Sequence, residues 1–141
     1  VTQAVCTSFK KELCIATHNF AAAGGHAFKF ALYTPLATLN ETTTVYSSSD
    51  EVVGMNYTAG GFALTNVNPS TSGTTAMVTF SANPTWTSAT FSTSQALIYN
   101  TSAGNKAVAV LDFGGTQTVS AGDFVITFPA VTSTTALLRL T

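Results

Sequence analysis

Charge is what this sequence most lacks. Only 8% of its 141 residues are Asp, Glu, Lys or Arg, against about 25% in an average soluble domain. Five Lys plus Arg, scattered along the chain, leave a net charge of −1. No basic groove can be assembled from them, which excludes a nucleic-acid binder that relies on basic charge. The high apolar fraction excludes a disordered chain, and the sparse charge excludes a coiled coil. Long hydrophobic runs are missing too: none approaches the roughly 18–20 residues of a membrane-spanning helix. Lys10-Lys11 followed by Leu13 to Ala16 has the order of a signal peptide, but Glu12, Thr17, His18 and Asn19 interrupt the apolar core, so none is expected. Cysteine is nearly absent. Cys6 and Cys14 stand eight residues apart, about 12 Å on a helix, too far for a disulfide. They read as free thiols of a protein assembled in a reducing compartment.

Hydroxyls supply the polarity that charge does not, with 26 Thr and 13 Ser. The length suits one domain over 1–141 with a sizeable core. Val5, Cys6, Phe9, Leu13, Ala16 and Phe20 share one face at 3.6-residue spacing, which predicts an amphipathic helix over 3–21. Ala21 to His26 reads as a linker with a glycine stop.

From Phe28 the period changes to two. Phe28, Phe30 and Leu32 alternate with Lys29, Ala31 and Tyr33, a half-buried strand ending at Pro35. Further strands are predicted at Thr42–Tyr46, Phe62–Leu64, Ala76–Phe80, Trp86–Phe91, Ala96–Tyr99, Ala107–Phe113, Phe124–Phe128 and Ala136–Leu140, with Gly114-Gly115 as a break. Eight or nine short strands with a turn signal every 8–12 residues or so describe an all-β, antiparallel β-sandwich or jelly-roll-like domain over 27–141.

Candidate chemistry is thin. Cys14 and His18 form an i, i+4 pair that suits a metal, but Cys6 lies on another face and a fourth ligand is missing, so no metal is expected. No G-x-S-x-G elbow accompanies the two histidines. The six carboxylates are scattered, and Asp50-Glu51 after three serines reads as a turn cap or a solvated loop. A single Trp and four Tyr favour core or interface roles over a sugar-stacking platform. A surface this poor in charge favours self-association, which neighbouring subunits would absorb. These readings give no catalytic residue and no cofactor.

Several stretches carry a family resemblance. They are Ser8 to Leu13 running on to Phe20, Phe28 to Thr34, Gly60-Gly61 after Tyr57-Thr58, Pro84 to Thr87, Ala96 to Asn100 and Ala107 to Gly114. In that order, over nearly the whole chain, the sequence resembles a family of small structural proteins encoded in the virion modules of tailed bacteriophages. The resemblance implies a non-enzymatic virion component assembled in the bacterial cytoplasm, without active-site residues. A capsid decoration or cement protein is the leading expectation. Its partners would be the major capsid protein or other virion proteins, and its state a homo-oligomer, a trimer before a dimer. Phe9, Leu13 and Phe20 are the expected anchors of the helix, docked beneath its own sandwich or on a neighbouring subunit. In the alternative, a tail- or fibre-associated adaptor or glycan-binding module, Tyr57, Trp86 and Tyr99 would form the contact.

Overall fold

The computed structural model describes residues 4–132 and 134–141. Among them the chain forms β1 (Ala4–Val5), α1 (Thr7–Cys14), β2 (Phe28–Tyr33), β3 (Phe62–Ala63), β4 (Ser70–Ser72), β5 (Thr75–Val78), β6 (Thr85–Asn100), β7 (Lys106–Val125) and β8 (Leu138–Leu140). The strands make two antiparallel sheets, ordered β1-β7-β6-β2-β3 and β4-β5-β8. The chain is therefore mostly β with one short helix, as its change of period implies. No helix among the described residues is long and apolar enough to cross a membrane.

The helix is much shorter than the 3–21 predicted from spacing, and Gln3 lies outside the described residues. Its start is delayed because Ala4 and Val5 pair with Val110 and Ala109 as an edge strand. The Cys6 amide still donates to the Val108 carbonyl at 3.0 Å. At the other end Ala16 takes φ 57°, and the amides of Ala16 and Thr17 donate back to the carbonyls of Leu13 and Glu12. A left-handed residue after the last turn ends an α-helix. Phe20 lies beyond it in irregular chain, its ring stacked on Phe28 with centroids 4.5 Å apart. Val5, Phe9 and Phe20 all turn towards the core, but from three different kinds of backbone.

The main sheet is built on one hairpin. The predicted strands at Trp86–Phe91 and Ala96–Tyr99 merge into the 16-residue β6, and Ala107–Phe113 runs on into the 20-residue β7. The Gly114-Gly115 pair does not end β7. Thr93 pairs with Gln117 and Gln95 with Asp112, so two residues of β6 span five of β7. The surplus forms a bulge, held by the Gly114 amide donating to Asp112 Oδ1 at 2.9 Å. Positive φ at both glycines is what the bulge requires.

β2 lies between β6 and β3, which is why five of its six residues are buried rather than alternate ones. The predicted strand at Thr42–Tyr46 shrinks to one bridge, Val45 to Lys106. Nothing in the hydroxyl-rich run Ser70–Ser72 signals β4, which is fully exposed.

All ten phenylalanines and Trp86 belong to one contact network. It runs from Phe9 through Phe20, Phe28, Phe80, Phe128 and Phe30 to Trp86, then through Phe124 to Phe113 at the bulge. Such pairs contribute about 0.5–1.5 kcal/mol each beyond burial, so this spine couples the helix, the main sheet with its long hairpin, and the Phe80 and Phe128 segments.

Candidate functional site

Among the described residues polar chemistry gathers in a tyrosine cluster on Glu51 and a histidine pair on Asn100, and an apolar cleft opens beside α1. Glu51 was expected in a solvated turn, and that expectation is corrected. Asp50 is exposed at φ 60°, but the next residue bridges to Tyr33 and is buried. Glu51 Oε1 accepts from the Tyr57 hydroxyl and from the Gly60 amide, each at 2.7 Å, and Oε2 accepts from the Tyr46 hydroxyl at 2.6 Å. Tyr99 donates to the Gly60 carbonyl at 2.7 Å while its ring stacks on Tyr46, centroids 4.5 Å apart. Tyr33 donates to the Ser47 carbonyl at 2.6 Å.

All four tyrosines of the chain thus surround one buried acid. Burial, then the Glu51 charge, pushes Tyr99 up to about 12. Tyr33, Tyr46 and Tyr57 are raised as well, each first by burial. A buried carboxylate is tolerated only when its oxygens are hydrogen-bonded. Here three donors from the same 46–60 segment occupy them, which leaves the acid poorly placed to take a substrate proton; the Leu32 amide donating to the Tyr57 hydroxyl and Tyr99 donating to the Gly60 carbonyl tie that segment to β2 and β6.

The second cluster centres on Asn100, fully buried at the end of β6. The Ser102 amide donates to Asn100 Oδ1 at 3.0 Å, which fixes the orientation of the side-chain amide. Asn100 Nδ2 must then face the histidines, 2.9 Å from Nδ1 of His18 and 2.9 Å from Nδ1 of His26. Its two hydrogens serve one ring each, so both rings accept at Nδ1 and carry their proton on Nε2. His18 Nε2 donates in turn to Glu12 Oε2 at 2.6 Å, and Glu12 Oε1 lies 3.8 Å from Lys106 Nζ. His18 is buried and in ring contact with Phe9.

A chain from carboxylate through imidazole to amide can align a general base. In this case both nitrogens of His18 are engaged within the protein. Cys14, which the i, i+4 spacing pairs with His18, is exposed with its thiol turned to the Lys10 carbonyl at 3.5 Å. Among the described residues no group of three His, Cys, Asp or Glu side chains is arranged to hold a metal ion.

The cleft has a volume of about 330 Å³ and lies between α1, the 18–21 segment and the β5–β8 side of the small sheet. Phe9, Leu13 and Phe20 line it opposite Val78, Leu138 and Leu140. Three of the six side chains expected at a contact therefore gather here. Phe9 and Phe20 are buried within their own chain and Leu13 is half-buried, so they anchor the segment in cis rather than on a neighbour, which corrects their place at a partner interface.

Tyr57, Trp86 and Tyr99 require the same correction. Trp86 is 6% exposed and enclosed by Phe30, Phe62, Phe91 and Phe124. Tyr99 is buried and Tyr57, half-buried, lies against Trp86 and Phe91. None of the three presents an open stacking face of the kind a sugar ring needs.

The residues that are open are others. Val53 is 95%, Leu36 78% and Met55 66% exposed. Met55 exchanges two backbone hydrogen bonds with Thr90 of β6. A Cβ on Gly54 would overlap the Thr90 carbonyl and approach Phe91 Cβ to 2.8 Å. That close approach of backbone to β6 turns Val53 and Met55 outward together, as an apolar ridge. Periodicity does not reveal it, since V-V-G-M reads as core.

Comparison with protein-family models, with curated proteins and with solved structures gives no match to this chain.

Proposed function

We propose that this protein is a non-enzymatic structural subunit of a tailed-bacteriophage particle, a capsid decoration or cement protein that binds the head shell as a homo-oligomer. The observation that carries this reading is the contrast between interior and surface. The buried acid is bound to tyrosines and the histidines to Asn100, so these groups serve as internal ties. The outside presents hydroxyls, few charges and large exposed apolar side chains such as Val53, Leu36 and Met55. Exposed apolar groups on a weakly charged surface favour burial against neighbours. The sequence resemblance to virion-module proteins supplies the particle, and the major capsid protein is the partner it implies.

In this reading the two sheets are the halves of a sandwich-like domain, stiffened by the phenylalanine spine. A rigid domain with an adhesive exterior reinforces a shell without itself deforming. The tail or fibre alternative loses its proposed stacking platform, because Trp86 faces inward.

The experiment is the copy number in purified particles, measured by quantitative mass spectrometry relative to the major shell protein. A count comparable to the shell protein is expected. A handful of copies would move the protein to a tail or vertex, and absence from particles would overturn the structural reading altogether.

A further inference from the structure

The sheet order leaves β7 as the strand outside β6 on one side of the main sheet. Its outer edge is covered where the chain begins and where the 44–46 segment crosses. Ala4 and Val5 pair with Val110 and Ala109, and Val45 bridges Lys106. Beyond the Gly114-Gly115 bulge that cover ends. From Thr116 to Ser120 the only strand paired with β7 among the described residues is β6. Every second residue there has a backbone N–H and C=O directed away from β6, to be satisfied by water or by another strand.

Exposed strand edges are usually blunted by lysine, proline or an inward charge. This one has none: Phe113 to Gly122 contains no charged residue and no proline. The stretch is also regular. Gln117, Thr118 and Val119 pair in unbroken register with Thr93, Ser92 and Phe91, and the irregularities lie on either side, at Gly114-Gly115 and at Ala121 with φ 47°. Thr116, Gln117, Thr118 and Ser120 are exposed.

We infer that this edge is a self-association surface, on which β7 of a second copy adds antiparallel and continues the sheet across a two-fold axis near Thr118. The free groups are backbone groups, so the partner is a β-strand. The segment is neutral, so two copies meet without opposed like charges. Its regular part is symmetric about Thr118, so a two-fold there uses all of it. Same edge against same edge is an isologous contact that closes at two copies. This inference rests on the homo-oligomer reading above and changes its expected symmetry from three-fold to two-fold.

The test is sedimentation equilibrium of the full chain with two charge variants, Thr118→Lys and Thr118→Asp. The wild type is expected to dimerise in a concentration-dependent way. Each variant places like charges opposite each other at the axis and should weaken the dimer at least ten-fold, while an equimolar mixture of the two recovers it. Thr71→Lys, on exposed β4 of the other sheet, should leave association unchanged. Far-UV circular dichroism checks that each variant is folded, and recovery in the mixture requires it. A monomeric wild type, variants that associate as the wild type does, or a mixture that fails to recover would each overturn the edge pairing. The two proposals fail separately. Shell-level copy number with an oligomer indifferent to Thr118 removes the edge and keeps the virion role. A charge-sensitive dimer absent from particles does the reverse.

Discussion

Asn100 and His18 stand 82 positions apart in the chain and meet at 2.9 Å. The same amide nitrogen reaches His26 at 2.9 Å, so one side chain at the end of β6 ties down both segments that follow the helix. Replacing Asn100 with Leu keeps volume but removes a donor from two rings and an acceptor from the Ser102 amide. Buried groups left without partners cost about 1–3 kcal/mol each, so urea unfolding should show a loss of about 3 kcal/mol. Nitrogen NMR of the imidazoles should find both rings protonated on Nε2. A ring carrying its proton on Nδ1 would contradict the arrangement.

Glu51 gives a second, independent prediction. Glu51→Ala strands three donors, the hydroxyls of Tyr46 and Tyr57 and the Gly60 amide. Hydrogen bonds to a charged group contribute about 1.5–3 kcal/mol each, so the variant should lose at least about 3 kcal/mol. Glu51→Gln should lose less, because an amide oxygen can still serve Tyr57 and Gly60 while its nitrogen faces the Tyr46 oxygen. Chemical denaturation of the pair should rank them in that order.

The tyrosines around this acid set the alkaline limit of the fold. Each has its folded value raised above the ordinary 10.0, Tyr99 to about 12, by burial first. A group raised on folding contributes stability that is complete below its unfolded value and lost as pH climbs through the folded one. Stability should hold up to about pH 10 and fall above it. Tyrosinate absorbance should stay flat past pH 10 and then rise together with the loss of circular dichroism. A gradual rise centred at 10 in folded protein would show the tyrosines to be solvated.

Local chemistry was easy to read from the sequence, and long-range ties were not. Alternation at Phe28–Leu32 and the apolar run Ala96–Tyr99 mark real strands, and the mostly β, antiparallel character follows from such stretches. The helix was overextended because Val5 and Phe20 fall on its apolar face by spacing while their backbones are a strand and a loop. Gly114-Gly115 reads as a stop because a glycine pair usually is one; only the register with β6 reveals a bulge inside a continuous strand. Glu51 and Asn100 gave no signal, since their partners lie 5–9 and 74–82 residues away and pairing across such distances has no period. Phe9, Leu13, Phe20, Tyr57, Trp86 and Tyr99 all lie in or against the core, and composition cannot tell an internal spine from an interface.

The two thiols should behave very differently. Cys6 is buried in the core, and burial, then the Glu12 charge, pushes its thiol from 9.0 up to about 11. That shift alone leaves about 100-fold less reactive thiolate near neutrality. Cys14 is exposed on the last turn of α1. Alkylation of native protein should modify Cys14 within minutes and Cys6 at least 100-fold more slowly, with both reacting in urea. Equal rates would mean that the contact between β1, α1 and β7 opens readily in the native state.

Two small residues test whether the backbone is as described, because they should respond in opposite directions. Ala16 ends α1 at φ 57°, a conformation that costs an L residue about 1–2 kcal/mol. It is exposed, so Ala16→Gly removes strain without losing packing and should stabilise the protein, by about 0.5–1 kcal/mol once the added chain entropy of glycine is subtracted. Gly61 has φ 84°, and a Cβ there would overlap the Phe30 carbonyl and lie 2.7 Å from Ala31 Cα. Both neighbours are backbone of the central strand β2 and cannot yield. Gly61→Ala therefore combines strain with overpacking and should lose about 3 kcal/mol or more. Thermal melts of the two variants should move to opposite sides of the wild type. If Ala16→Gly lowered the midpoint instead, the helix would have to continue beyond Cys14 towards the longer span that spacing alone suggests.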